Sequence, residues 1–300
     1  MSTLYPFQHN ELELDGLRYH YLDEGAGDPV VMVHGNPSWS FYYRNLAIAL
    51  RDRYRVIVPD HIGCGLSEKP GVMNYPYTLE RRVDDLEALL EHLNVRERIT
   101  LVVHDWGGMI GMAYASRHPE RIARLVILNT AAFHLPAGKK FPLALKICRD
   151  TFIGGFLVLQ LNMFAVMAAR IGCKRNPMPA PLRGAYCAPY CSPPDRIATL
   201  RFVQDIPLVP GDSGYDLVSE IEAGLERFAD LPMTICWGLK DFVFDGDFLK
   251  EWQRRFPKAE VHAFADCGHY ILEDAKDEVI PIIEQFLAAH PLPVASAGSV

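Results

Sequence analysis

One stretch constrains the fold of this chain more than any other: Leu101-Val102-Val103-His104-Asp105-Trp106-Gly107-Gly108-Met109-Ile110-Gly111. It reads as a buried strand, a sharp turn and then a helix. The pattern is that of a G-x-S-x-G elbow, in which small neighbours let the chain turn tightly and expose one reactive side chain above a sheet. Here the apex is Asp105 rather than a serine, and Gly107 is the small residue two positions beyond it. A carboxylate cannot act as an activated hydroxyl, but it can displace a leaving group from carbon and form an ester with the protein. The plainer reading is an acid capping a helix N-terminus. The motif alone leaves both open.

Apolar strands alternate with helices on either side of the elbow. Residues 12–23 read as a hairpin turning at Asp15-Gly16. Residues 29–34, 54–60, 99–103, 122–128, 233–237 and 260–264 read as strands, and 79–93 has helical spacing. Such alternation predicts a parallel sheet covered on both faces. The rhythm breaks over residues 133–228, which are rich in Phe, Leu, Met and Pro and read as helices with loops. Phe152, Phe156, Leu157, Leu161, Phe164 and Met167 recur there at helical spacing. They fit either a plain helical core or the roof of a pocket over the sheet. The expected division is a core of residues 1–132 and 229–293, a helical cap of 133–228, and a flexible tail of 294–300.

Composition limits the functional classes. Hydrophobic residues make up 49% of the 300-residue chain and the net charge is −7, so a sizeable core is expected. No basic stripe suggests nucleic acid and no polybasic segment suggests an anionic membrane. The seven cysteines (64, 148, 173, 187, 191, 236 and 267) form no C-x-x-C pair, and Cys187 and Cys191 have no histidine nearby to suggest zinc. No metal site and no cofactor are expected, and reduced thiols fit a cytoplasmic protein. The opening residues lack the charged and apolar regions of a secretory signal, so none is expected. No integral membrane segment is expected either.

Three further places carry chemistry. His269, in Asp266-Cys267-Gly268-His269-Tyr270, follows the last expected strand and could reach back over Asp105 to activate water against its ester. Asp241 follows the strand ending near Trp237, where an acid could hold the histidine's other nitrogen. Asp245 and Asp247 compete with it, while the strand ending at Leu128 is followed by Asn129 and Thr130 and offers no carboxylate. His34-Gly35-Asn36-Pro37 follows the first long parallel strand. Its Asn36 amide and the Trp106 indole N–H supply two uncharged donors suited to a departing anion or an oxyanion. Singly, Asn36 reads equally well as a turn residue and Trp106 as packing. Phe133, Phe152, Phe156, Phe164 and Tyr270 are the candidate lining of an apolar substrate pocket. Asp60-His61-Ile62-Gly63-Cys64-Gly65-Leu66-Ser67 has a G-x-G but no third glycine, and reads as a structural turn.

Taken together, His34-Gly35-Asn36-Pro37, His104-Asp105-Trp106-Gly107-Gly108 and Gly268-His269 resemble the α/β-hydrolase superfamily in its haloalkane dehalogenase-like branch, over nearly the whole chain. The resemblance implies a mostly parallel central sheet with helices on both faces and a helical cap insertion. It implies Asp105 as nucleophile, His269 as base and Asp241 as acid, with Asn36 and Trp106 binding the leaving halide. An acid after the later strand sets the chain apart from one dehalogenase subfamily and from the related luciferase. Within the branch, the 60–67 segment and Arg196-Ile197-Ala198-Thr199-Leu200-Arg201-Phe202-Val203-Gln204-Asp205-Ile206-Pro207 resemble the β-lactone decarboxylases of bacterial long-chain olefin biosynthesis. That resemblance implies cis-3,4-dialkyl β-lactones as substrates, cis-alkenes and carbon dioxide as products, and company with other olefin-biosynthesis enzymes. A haloalkane dehalogenase releasing alcohol and halide is the competing reading. An epoxide hydrolase would want an aromatic at position 36 and two cap tyrosines, for which Tyr186, Tyr190 and Tyr215 are available. A fluoroacetate dehalogenase would want an arginine where Trp106 stands. A hydrolase fold kept as a non-catalytic lipid binder has no need of Asp105, Asp241 and His269 together.

Overall fold

The computed structural model describes residues 4–293, so the expected tail of 294–300 lies outside the described residues. The first strands, β1 (Asn10–Leu14) and β2 (Leu17–Glu24), form the expected hairpin. Asp15 and Gly16 both have positive φ, +51° and +79°, which is the geometry a two-residue turn needs to match strand twist. The remaining strands are β3 (Pro29–Val33), β4 (Arg55–Pro59), β5 (Ile99–Asp105), β6 (Ile122–Thr130), β7 (Met233–Gly238) and β8 (Glu260–Phe264). They build one eight-stranded sheet in the order β1-β2-β4-β3-β5-β6-β7-β8. Only the β1–β2 and β2–β4 pairs are antiparallel. The apolar runs of β3 and β5 are buried on both faces, as central parallel strands must be.

Helices α1 (Arg44–Leu50), α2 (Leu79–His92) and α3 (Trp106–Arg117) connect the first half of the sheet. Between β6 and β7 the chain leaves the sheet. It forms α4 (Leu143–Asp150), α5 (Phe152–Leu159), α6 (Met163–Ile171), α7 (Ala180–Cys187), α8 (Ile197–Gln204) and α9 (Tyr215–Gly224). It then returns through α10 (Gly246–Arg255), the short α11 (Ile271–Asp274) and α12 (Lys276–Ala289). Leu79, Val83 and Leu86 of α2, Ile110 of α3 and Trp252 of α10 pack one face of the sheet. Leu46 and Leu50 of α1 and Val279, Ile283 and Phe286 of α12 pack the other. The expected α/β fold with a mostly parallel, doubly covered sheet is borne out.

The strand feeding the elbow is two residues longer than its apolar run implies. Asp105 still pairs with Thr130 of β6 across a register shift at His104. Asp105 itself sits at φ +53°, ψ −127°, a strained conformation for a residue with a Cβ and of order 1–3 kcal/mol in cost. Close packing holds it there. A Cβ on Gly107 would lie 1.9 Å from the Val33 carbonyl oxygen, and one on Gly108 would lie 1.9 Å from Thr130 Oγ1. Helix α3 therefore crosses β3 and β6 at a distance that only glycine permits.

The 60–67 loop is a structural turn of unusual polarity. The buried Asp60 carboxylate accepts the Ser40 N–H at 2.6 Å and the Leu66 N–H at 2.9 Å, and pairs with His20 Nδ1 at 2.8 Å. Burial pushes this carboxyl up, but His20 and the other donors outweigh it and hold it at about 2. The loop next to His34 is thereby fixed.

The elbow packing is tested by Gly107→Ala. A methyl there must displace backbone of β3, so stability should fall by about 1–3 kcal/mol or more. Chemical denaturation of the variant beside wild type measures it, and an unchanged midpoint would contradict the packing described.

Candidate active site

At the C-terminal ends of β3, β5, β7 and β8, four loops converge on Asp105. Its side chain is buried, and its Oδ1 accepts the Asn36 backbone N–H at 2.6 Å. The Trp106 backbone N–H also bonds this carboxylate. The other oxygen, Oδ2, lies 3.6 Å from His269 Nε2. The two oxygens are thus distinguished. The Asn36 N–H, a donor of the kind an oxyanion hole supplies, grips Oδ1, leaving Oδ2 as the oxygen on the histidine side. Thr130 Oγ1 donates to the backbone carbonyl of Asp105 and braces the apex from β6.

The imidazole of His269 is held from its far side by Asp241, with Nδ1 2.7 Å from Oδ2. Asp241 is itself fixed, Oδ1 accepting the Val243 N–H at 2.8 Å and Oδ2 accepting Asn129 Nδ2 at 3.0 Å. The structure brings together Asp105, His269 and Asp241. It does not bring in Asp245, whose side chain caps α10 and pairs with Lys139, or Asp247, which pairs with Lys250. Burial pulls the proton affinity of His269 down, but Asp241 and Asp105 outweigh it and the net shift is upward. Asp105 is pushed up by burial, against the downward pull of His269 and the two backbone N–H donors. Two carboxylates facing one imidazole favour its protonated form, and that charge in turn favours an ionised Asp105.

Asn36 and Trp106 both line the cavity beside Asp105. The Asn36 side-chain N–H₂ already donates one hydrogen to the Thr199 carbonyl at 3.0 Å, which orients the amide and leaves its second hydrogen. The Trp106 ring lies against Phe202, with centroids 5.3 Å apart. The cavity above them has a volume of about 310 Å³, the lower end of the range for small-molecule sites. Its walls are apolar side chains of the 131–148 segment, α6 and the 203–208 and 242–244 turns, and its charged or titratable groups are few: Asp105, His269, His134, Cys148 and Lys139.

Phe133 and Phe164 line this cavity, but three of the expected lining residues do not. Phe152 is 89% exposed and Phe156 49%. Helix α5 turns Gly154 and Val158 inward, and a Cβ on Gly154 would meet the Ile147 carbonyl at 2.1 Å, so α5 docks on the end of α4 through that face. Phe152 and Phe156, on the opposite face, point outward. Tyr270 is buried behind the site, stacked on Tyr186 with centroids 5.2 Å apart and near His104. Nor do Tyr186, Tyr190 and Tyr215 line the cavity. Tyr186 donates to Glu273 at 2.6 Å, Tyr190 to the Ser38 carbonyl at 3.2 Å, and Tyr215 stacks on His134. The epoxide hydrolase reading loses its acid pair.

Supporting groups that the sequence reading did not pick out complete the site. His104, kept neutral by burial and by the neighbouring His269, has Nε2 2.9 Å from the His269 carbonyl and donates to it. The Asp274 carboxylate accepts the N–H groups of Gly268 at 2.7 Å, Lys174 at 2.6 Å and Asn176 at 2.6 Å, tying the His269 loop to the chain beyond α6. Only the strand-end position of Asn129 carried a sequence signal; the partners of His104 and Asp274 are set by tertiary contact.

Residues 28–148 match the family model described as alpha/beta hydrolase fold. The chain is 63% identical over 287 residues to the cis-3-alkyl-4-alkyloxetan-2-one decarboxylase of Shewanella oneidensis, covering 96% of this chain and 90% of that one. It is 47% identical to the protein of the same name from Xanthomonas campestris, covering 96% and 98%. Haloalkane dehalogenase 2 of Mycobacterium tuberculosis is 32% identical, covering 94% and 96%. Among solved structures, a haloalkane dehalogenase from Agrobacterium tumefaciens superposes with a TM-score of 0.85 at 23% identity, covering 97% and 100%, a likeness of fold. The chain belongs to the α/β-hydrolase family. Within it, the chain falls in the branch shared by the oxetanone decarboxylases and the haloalkane dehalogenases, and the resemblance read from the sequence is borne out.

Asp241→Asn is expected to lower turnover by orders of magnitude, on the scale of ~10⁴ for loss of a triad acid, while Asp245→Asn and Asp247→Asn stay within about threefold of wild type. Steady-state rates on one substrate rank the three. A reversed ranking would move the acid elsewhere.

Proposed function

We propose that this protein decarboxylates cis-3,4-dialkyl β-lactones to cis-alkenes and carbon dioxide. One observation carries the reading: identities of 63% and 47%, each over 96% of this chain, are to proteins named for that reaction, against 32% for the dehalogenase. The site is chemically suited to it. Asp105 Oδ2 attacks the ring carbon that bears the lactone oxygen, and that carbon–oxygen bond breaks. The ring opens to an Asp105 ester with a free carboxylate on the neighbouring carbon. The bond to that carboxylate then breaks, its electron pair forms the alkene, and Asp105 departs with the electrons of its own ester bond. Inversion at the attacked carbon followed by anti departure preserves the cis relation of the alkyl groups. Atoms balance without water.

In this reading the backbone N–H groups of Asn36 and Trp106 orient the attacking carboxylate and later the ester carbonyl. His269, oriented by Asp241, keeps Asp105 ionised. The side-chain donors of Asn36 and Trp106 receive the carboxylate released from the ring. Phe133, Phe164 and their apolar neighbours hold the alkyl arms, each buried methylene contributing about 0.8 kcal/mol. No cofactor is required. The protein would act where long-chain acyl units are joined, alongside enzymes that supply the lactone, in the cytoplasm.

Dehalogenation is the second reading, favoured by the 32% relative and by the same three residues. It begins with the same attack but ends with water adding to the Asp105 ester carbonyl, which needs a neutral His269 as base. Isotope and pH separate the two. Turnover of a cis-dialkyl β-lactone in ¹⁸O-water should leave the Asp105 peptide unlabelled by mass spectrometry, whereas hydrolysis would label it. Asp105→Ala should abolish alkene formation with circular dichroism unchanged. Because the imidazole pKa is shifted upward, the base is protonated below a pH higher than the ordinary ~6.5, so an acid limb above that value belongs to hydrolysis. Lactone turnover should lack this limb. Label in Asp105, or bromide release without alkene formation, would establish the dehalogenase instead.

A further inference from the structure

We propose that the outer face of α4, α5 and α6 docks on an anionic lipid surface, so that apolar substrate passes from the bilayer into the cavity. The face is apolar and exposed where a soluble cap has no reason to be. Leu143 is 72% exposed, Phe152 89% and Ile153 66%, with Phe156 and Leu161 about half exposed. Residues 151–169 contain no charged side chain. A patch of this kind marks an interaction site rather than scattered surface.

Charge selects the partner. Residues 133–175 carry seven Lys and Arg against a single acid, Asp150, in a chain whose net charge is −7. Lys140 precedes α4, Lys146 stands between Leu143 and Ile147 on its exposed side, and Arg170 follows Met167 on α6; all three are exposed. Among the described residues none of these three pairs with a carboxylate, whereas Arg149 and Lys139 nearby are paired. Exposed large apolar groups interspersed with unpaired cations are what a headgroup layer of anionic lipid complements. No single helix among the described residues is long and apolar enough to cross a membrane; α5 and α6 reach that length and apolarity only together, across a 74° bend.

The patch also continues into the site. Met163 and Met167 are 38% and 37% exposed and line the cavity as well, so the same side chains border both. A molecule with two long alkyl chains resides in membrane rather than water. That route for substrate rests on the lactone reading above; the docking itself does not.

The test is co-sedimentation of the purified full chain with vesicles of phosphatidylethanolamine and phosphatidylglycerol, beside vesicles of phosphatidylcholine. Binding is expected to the anionic vesicles and to weaken with added salt. Phe152→Ser/Ile153→Ser should reduce partitioning at least tenfold and Lys146→Gln about fivefold, with circular dichroism unchanged. Turnover of a short, water-soluble cis-β-lactone should be unaffected in both variants, because none of these residues lines the cavity. Absence of binding by wild type, equal binding by the variants, or self-association through this face without vesicle binding would each overturn the proposal. Vesicle binding with no lactone turnover would instead reject the lactone reading and leave the docking surface standing.

Discussion

Burying an ionisable carboxylate at the end of a central strand is the constraint around which this protein is arranged. Asp105 lies where water is excluded, so its charge must be compensated by fixed dipoles and a neighbouring cation. The compensation comes from three directions: the Asn36 N–H on Oδ1, the Trp106 N–H, and His269 toward Oδ2. Each donor has its own support. Asp60 bonds to the Ser40 N–H and shares its surroundings with His34, which steadies the loop carrying Asn36. The glycines at 107 and 108 let α3 begin close enough to β3 and β6 for the Trp106 N–H to point at the carboxylate. Asp241, His104 and Asp274 fix His269 by its ring, its carbonyl and its loop.

A consequence is an uneven distribution of polarity. Strong groups sit on the floor of the cavity, and the roof is built from aliphatic and aromatic side chains of the 131–148 segment and α6. His134, Lys139 and Cys148 are the exceptions, and the Lys139 ammonium pairs with Asp245 and so carries no unpaired charge into the cavity. Such a cavity orients a substrate by its one polar group and selects it by apolar length. In a site of this kind, electrostatic interactions at the floor are also stronger than they would be in water.

Much of this arrangement was legible in the sequence, because its signals are local. The Asp15-Gly16 turn, the unbroken apolar runs of the central strands and the small residues after Asp105 each state a backbone requirement within a few positions. The ends of strands then name the loops that can meet, which is why Asp105, Asp241 and His269 could be chosen before their distances were known. Periodicity failed where it is ambiguous. The spacing of Phe152 and Phe156 says that they share a helix face, not that the face is inward; Gly154 and Val158 share the opposite one, and it is that face which packs. Tyr270 adjoins His269 in sequence, yet the chain turns between them and sends the ring behind the site. The partners of Asn129 and His104 lie 112 and 165 residues away, separations at which no local pattern speaks.

In the proposed reading, one constellation can serve two reactions because the fate of an Asp105 ester is decided by the substrate. A haloalkane leaves an ester with a plain alkyl chain, and only water can release it. A β-lactone leaves an ester beside its own carboxylate, and that group can expel Asp105 within the same molecule. The apolar cavity bears on this choice. It hinders the approach of water to the ester. In that reading a wall built to bury alkyl chains disfavours hydrolysis and leaves the ester to its own carboxylate, without a change in any of the three residues at its floor.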